Sequence, residues 1–454
     1  MSFDDLPLDL NIFPSPSKQY TFEECNRFIL EQNSDYIDED LDDEYTRPPI
    51  NCKYYDMDDF CSAKFDKYSF SIFHMNIASL SRHYDELSTM LALLNFQFSI
   101  IGITESKIKK SSRPNINLDL PGYSIEHTPT ESSHGGALLY ISNALNYFPR
   151  RDLNKLMYCS ESIESVFIEV SCPRKSNIIV GCIYRHPDGP KHISIAEFND
   201  VYLSSLLQKL SFENKSIFLI GDFNINLLQC ETNTDISEYF NSLTSCSFLP
   251  HITLPTRITN HSRTLIDNIF TNAISSNITS GNLTSSISDH LPQFLIYPDM
   301  NKFFVPRKHN IYRRDISNIK SESFYNDFKN INWDTASDQD NNDTNVKFDS
   351  FFHDFNCLLD KHAPLKKVSN KDFLLRFKPW ITPAILNSIK RRNRLKGKIN
   401  RAKDPIQKST LQSQFKTLRN SIVSLTRQSK KNYFSSYFTK NSHNLKQTWK
   451  GIKT

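Results

Sequence analysis

Between Tyr68 and Tyr297 the chain alternates short, almost uninterrupted apolar runs with stretches whose apolar residues recur at helical spacing. Ser69–Ile77 (SFSIFHMNI), Phe98–Ser106 (FSIIGITES), Gly135–Ser142 (GGALLYIS), Ser165–Val170 (SVFIEV) and Asn177–Arg185 (NIIVGCIYR) each predict a strand. So do Ser216–Asn224 (SIFLIGDFN), Thr264–Phe270 (TLIDNIF) and Gln293–Tyr297 (QFLIY). Tyr84–Leu94, Phe198–Leu210 and Asp235–Cys246 carry the helical period between them. Strands this apolar must be buried on at least one face, with helices outside, which fits a layered α/β sandwich.

The flanks have a different texture. Residues 1–66, with the acidic run Asp35–Tyr45, read as a flexible leader, and 67–300 as the structured domain. Residues 301–377 are polar and weakly patterned, as in a linker. From Lys378 the pattern turns helical again, over Thr382–Asn400 and then Lys408–Phe438 after Pro405. A proline just after Thr382 suits a first helical turn.

Charge sharpens this division. The formal net charge of +4 hides five Lys/Arg against 17 Asp/Glu over 1–66, 25 against 31 over 67–360, and 24 against 2 over 361–454. The last segment is a handle for phosphate backbones, DNA in the first place and RNA as a further candidate. Its clusters Lys390–Lys398 and Arg427–Lys431 have too few acids nearby to be neutralised by self-pairing. Nine cysteines without a CxxC pair predict reduced thiols and an intracellular protein. The N-terminus lacks a signal peptide, and no apolar run approaches the roughly 20 residues of a membrane span, so a soluble chain without a membrane partner is expected.

Candidate chemistry collects at strand ends, where rigid strands meet open loops. Asn76, Glu105 and Tyr184 end their runs; Asp222, Asn224 and Asn226 follow SIFLIG; Asp289 and His290 precede QFLIY. Asp267 lies inside an apolar strand, where a carboxylate is costly without a partner. Singly, each is an ordinary cap or turn residue. As an ordered set their chemistry is coherent. Glu105, Asn76 and Asp289 offer hard oxygens suited to Mg²⁺ or Mn²⁺. Asp222 would take a proton or orient water, Asn224 would bond the phosphate, and Asp267 would fix the tautomer of His290. Asn226, Thr256, Ser262, His74 and His134 read as structural, and Trp380 and Trp449 as packing anchors.

The ordered set resembles the signature of the endonuclease/exonuclease/phosphatase superfamily over about Tyr68–Tyr297. The resemblance implies a four-layer α/β sandwich that cleaves phosphoesters with a divalent cation. It also implies Glu105 as principal metal ligand, assisted by Asn76 and Asp289, with Tyr184 at the phosphate and Asp267–His290 as a carboxylate–histidine pair. It leaves the general base open between Asp222 and His290. HMNIASL, IIGITES, GCIYRHP, GDFNINLL, LPTRITNHSRTLIDNIFTN and SISDHLPQF resemble the endonuclease of non-LTR (LINE-like) retrotransposon proteins. Residues 378–454 resemble the basic linker ahead of a reverse transcriptase. None follows, so a truncated element or fragment is expected, with a nuclear location. The resulting expectation is a metal-dependent DNA-nicking endonuclease. The alternatives are a repair-type nuclease or other phosphoesterase of the same superfamily, and an inactive nucleic-acid-binding remnant.

Overall fold

The computed structural model describes residues 51–298 apart from 110–117, 131–133, 173–175, 188–191, 260–261, 274 and 276. It further describes 312–314, 316, 319–331, 344–367 and 378–452 apart from 403. Residues 1–50 of the leader expected over 1–66 lie outside these residues. The described residues fall into two compact units, one drawn from Met1–Arg307 and Leu374–Thr454, the other from Lys308–Phe373.

The larger unit is built on two sheets. In chain order the strands of the first are β1 (Asn51–Tyr55), β2 (Phe70–Asn76), β3 (Ile100–Thr104), β4 (Tyr123–Thr128), β5 (Ala137–Ser142), β14 (Thr279–Leu283) and β15 (Gln293–Tyr297). They lie side by side as β1-β14-β15-β2-β3-β5-β4. The second sheet is β10-β13-β9-β8-β7-β6. Its strands are β6 (Tyr147–Pro149), β7 (Ile163–Val170), β8 (Ile178–Arg185), β9 (Ser216–Asp222), β10 (Leu249–Pro250) and β13 (Asp267–Thr271). A two-stranded hairpin, β11 (Arg257–Ile258) with β12 (Arg263–Thr264), precedes β13.

Period-2 alternation decides which face each residue serves. Phe70 and Ile72 of β2 join Ile168, Val180, Phe218 and Ile220 in the core between the sheets. Phe73 and Met75, their neighbours in sequence, join a second core on the outer face. The sheets approach closely where Gly102 faces Ile220: a Cβ there would lie 2.5 Å from the isoleucine Cδ1. Phe198, Leu206, Leu210, Tyr239 and Phe240, from helices over 195–211 and Thr234–Ser245, also pack into the core of the second sheet. Leu87, Met90 and Leu94 of helix Leu80–Leu94 cover the first sheet. The result is the layered sandwich the apolar runs implied, with the four layers implied by the resemblance.

Two features depart from the sequence reading. Asn51–Tyr55, at the end of the supposed leader, pairs in parallel with β14, and Met57–Ser62 forms a capped helix whose Phe60 is buried. The basic segment also packs on the domain. Thr382 caps helix Pro383–Arg401, its Oγ1 accepting from the Ile385 N–H at 3.3 Å. That helix seats Ile385, Leu386 and Ile389 in the same core cluster as Met57, Leu87 and Met90, and Ile422 of the following helix Pro405–Lys440 joins them. Trp380 is buried, as expected, whereas Trp449 is exposed.

The smaller unit, in the stretch read as a polar linker, pairs Tyr312–Arg314 with Leu365–Lys367 and carries helices Ser321–Asn330 and Thr344–His362. Ion pairs Arg314–Asp360 (2.6 Å) and His362–Asp327 (2.6 Å) tie it internally. Among the described residues no helix is long and apolar enough to cross a membrane.

Candidate active site

Strand direction gathers the candidate residues at one end of the sandwich. β2 and β3 run parallel and end at Asn76 and Thr104; β8 and β9 run parallel and bring Tyr184 opposite Asp222. β13 runs the other way and begins at Asp267, the register partner of Asp222. β15 is antiparallel to β2, so His290 just ahead of it arrives at the same end.

One amide joins the two sheets. Asn76 Nδ2 donates to Asp222 Oδ2 at 2.7 Å and to Glu105 Oε1 at 3.0 Å. Asp222 Oδ1 accepts from the Asn224 N–H at 3.0 Å. Beyond it, His290 Nδ1 lies 2.8 Å from Asp267 Oδ2 and 3.8 Å from Asp222 Oδ2. All three groups are buried. Burial opposes a charged imidazole, but the Asp267 and Asp222 carboxylates outweigh it and hold His290 above the usual imidazole range. Burial, and then the charge of Asp267, push Asp222 well above the usual carboxylate range. The pair Asp267 and Asp222 therefore favours the charged form of His290, whose Nδ1 is directed by Asp267.

Glu105 is held in a left-handed conformation at φ 48°, which a glutamate adopts only under constraint. The constraint comes from Gly135 and Gly136, whose carbonyls accept from the Lys107 and Ser106 N–H groups at 2.9 and 3.1 Å. Lys107 Nζ reaches Glu105 Oε2 at 3.3 Å, and the Tyr184 hydroxyl donates to Oε1 at 3.4 Å. Burial and the Glu105 carboxylate push that hydroxyl well above the usual tyrosine range, so it remains a donor.

Seven of the eight residues singled out in the sequence thus meet. Two face differently from the roles implied for them. The Asn224 amide is already engaged, Nδ2 donating to the Arg185 carbonyl at 2.7 Å, so this residue positions Asp222 through its backbone. Asp289 is half exposed, and its carboxylate turns to Arg257 Nε at 2.7 Å. Burial opposes its ionised form, but His290 and Arg257 keep it below the usual carboxylate range.

The sequence reading passed over two residues. Thr256, taken for a turn residue, is fully buried and donates from Oγ1 to Asp267 Oδ2 at 2.7 Å. The only local signal was its place in LPTR, eleven residues ahead of Asp267. Ser288 Oγ donates to the Asn76 carbonyl at 2.7 Å and accepts from the His290 N–H at 3.2 Å, which pins the histidine loop to β2. Asn226 is structural as expected: its Oδ1 accepts from Leu265 N–H at 2.9 Å. His74 is a satisfied core histidine between Gln293 and Thr104.

The donor set suits a divalent cation. Glu105 and Asp222 share the Asn76 amide, Asp222 faces Asp267, and among the described residues Asp267 Oδ1 is buried without a hydrogen-bond partner. Asp222, Asp267 and His290 each offer a ligand atom within 4.8 Å of the others. A group of this kind could hold a metal ion.

Comparison with known proteins matches residues 71–290 to the Endonuclease/Exonuclease/phosphatase family. They form a domain of that family. The endonuclease/exonuclease/phosphatase domain is a phosphoester hydrolase, and the match spans every residue of the site from Asn76 to His290. Among solved structures, the AP endonuclease LMAP from Leishmania major aligns at TM-score 0.42 and 12% identity, over 52% of this chain and 90% of its own. The endonuclease domain of TRAS1, a telomere-specific non-LTR retrotransposon, aligns at TM-score 0.36 and 13% identity, over 51% and 98%. The 3′ phosphatase NExo from Neisseria, bound to a product DNA hairpin, aligns at TM-score 0.37 and 12% identity, over 50% and 99%. None of the curated proteins matches the chain.

Proposed function

We propose that this domain is a divalent-metal-dependent DNA endonuclease that nicks one strand, of the kind carried by LINE-like retrotransposon proteins. The observation that carries the reading is the continuous chain Glu105–Asn76–Asp222–His290–Asp267–Thr256, in which every link is a contact between side chains at one end of the sandwich. A set of turn residues would not converge in this way. The retrotransposon type rests on the wording of the motifs, from HMNIASL to SISDHLPQF.

Glu105, with Asp222 beside it, would hold Mg²⁺ or Mn²⁺, with Asn76 orienting both carboxylates, and the cation would supply charge for the phosphate and its leaving oxygen. The chain's own groups do the rest. Asn76 and the Asn224 N–H fix both oxygens of Asp222, leaving that carboxylate oriented to receive a proton from attacking water. With Nδ1 committed to Asp267, His290 presents its Nε2 hydrogen to a phosphate oxygen and stabilises the charge that develops there. Thr256 keeps Asp267 from rotating away. Tyr184 holds Glu105 in place.

The full chain with Mg²⁺ should be offered supercoiled plasmid, a duplex with one abasic site, and a phosphomonoester. Faster turnover of the plasmid to nicked circle supports the proposal. Preference for the abasic duplex would instead favour a repair-type nuclease, and preference for the monoester a phosphatase.

A further inference from the structure

Helix Pro383–Arg401 holds seven basic residues and no acidic one, and it sorts them by face. Three of them meet carboxylates of the domain. Arg392, buried, donates to Glu86 Oε2 at 2.9 Å, while Lys390 and Arg394 both reach Asp58. Arg391, Lys398 and Arg401 are exposed, and among the described residues no carboxylate pairs with them. Together with the half-exposed Arg394 they fall at i, i+3, i+7 and i+10, which is one stripe along the helix. Like charges at these spacings repel one another, so the stripe is a burden to the helix unless something anionic lies along it.

The stripe leads to the active-site rim. At its end the Arg263 guanidinium donates to the Asn400 carbonyl at 3.3 Å. Arg263 is on β12, whose partner β11 carries Arg257, and Arg257 forms a backbone bridge with His290. On the domain side Ser286 Oγ donates to Asn393 Oδ1 at 3.2 Å, fixing the helix to the loop that delivers Asp289 and His290. The lowered pKa of Lys396, set by burial and partly offset by Asp289, fits a helix seated against that loop.

We propose that the outward face of this helix, Arg391, Lys398 and Arg401 continued by Arg263, holds the phosphate backbone of duplex DNA beside the scissile bond. The proposal rests on the endonuclease reading and adds where the substrate lies. Ten residues at about 1.5 Å rise give a stripe of about 15 Å, the axial length of about four base pairs. Residues 67–360 hold more acids than bases, so the helix supplies affinity that the catalytic sandwich lacks.

The test compares the full chain, a variant with Arg391→Gln, Lys398→Gln and Arg401→Gln, and a charge-matched control. The control carries Arg151→Gln, Lys155→Gln and Lys209→Gln, three exposed cations on helices that pack with the second sheet. Each is titrated with one 30-mer duplex across a salt series. The stripe variant should bind at least tenfold more weakly, and its log–log salt slope should flatten by about 0.9 per lost phosphate contact, about 2 to 3 in all. The control should follow the wild type. Superimposable curves for wild type and stripe variant, an equal loss in the control, or a larger loss for an RNA hairpin than for the duplex would each overturn the proposal. A wild type that binds with the expected slope but never nicks would defeat the endonuclease reading and leave this surface standing.

Discussion

Asp222 and Asp267 face each other as register partners on adjacent antiparallel strands, and His290 lies within 4 Å of both carboxylates. Strand pairing alone would set two buried anions side by side. The imidazolium between them relieves that repulsion, and Asp267 decides which ring nitrogen faces inward. The site is therefore a unit whose members have no independent role to lose.

Asp267→Asn and His290→Ala should each lower the nicking rate by about 10² to 10⁴, the usual range for a positioned acid or base. The double variant should be little slower than the worse single one, because residues acting together are non-additive. Rates measured at saturating enzyme decide this. Fully multiplicative losses would show that Asp267 does not act through His290.

The Glu105 loop depends on two glycines. A Cβ on Gly135, at φ 87°, would lie 2.6 Å and 2.8 Å from the Glu164 carboxylate oxygens and 2.8 Å from His186 Nε2. Gly122 has the same φ, yet its nearest neighbour would be 3.7 Å away. Gly122→Ala should thus cost only the left-handed penalty of about 1–2 kcal/mol. Gly135→Ala should cost more and lower the nicking rate as well, since the Gly135 carbonyl holds Lys107. Chemical denaturation and rate measurements on both variants check this; equal effects would contradict the account.

His251 gives stability a pH dependence away from the site. Burial lowers its pKa to about 4, so it folds as the neutral ring. The unfolded chain binds the proton more readily between that value and an ordinary imidazole pKa of about 6.5. Its contribution is thus fully present above about pH 6.5 and is lost as pH falls toward 4, by about 3 kcal/mol. His251→Asn should flatten the acid limb of stability against pH. An unchanged acid limb would rule out His251 as its source.

The basic segment tests differently from a free tail. Leu386→Ala and Ile389→Ala remove buried side chains shared with helix Leu80–Leu94, and each should cost about 2–5 kcal/mol. Thermal unfolding reads the effect. Wild-type melting temperatures in both variants would mean that the helix does not pack on the domain.

Much of this was legible because burial here is announced by apolar runs. Each of the eight runs that read as strands lies on a sheet, and the chemistry sits at their ends because strand direction puts it there. Other elements were hidden by their composition. Thr279–Leu283 (TSGNL) has no apolar alternation, yet it is buried between β1 and β15, with Gly281 against Lys53 and the Tyr55 ring. Thr256 looked like any turn threonine, since nothing local reports a bond to a carboxylate eleven residues on. In helix Pro383–Arg401 charge drew the eye from Ile385, Leu386 and Ile389, whose spacing marked a packed face.

The central claim is that these residues make a metal-dependent DNA nickase. Supercoiled plasmid incubated with the full chain, Mg²⁺ and, in parallel, excess chelator gives the most direct reading, with Glu105→Gln as the matched variant that keeps shape and removes ligand charge. The account predicts accumulation of nicked circle ahead of linear product, none in chelator, and a loss of about 10² or more in the variant while its folding is retained. Undiminished nicking in chelator, or wild-type nicking by Glu105→Gln, would contradict it.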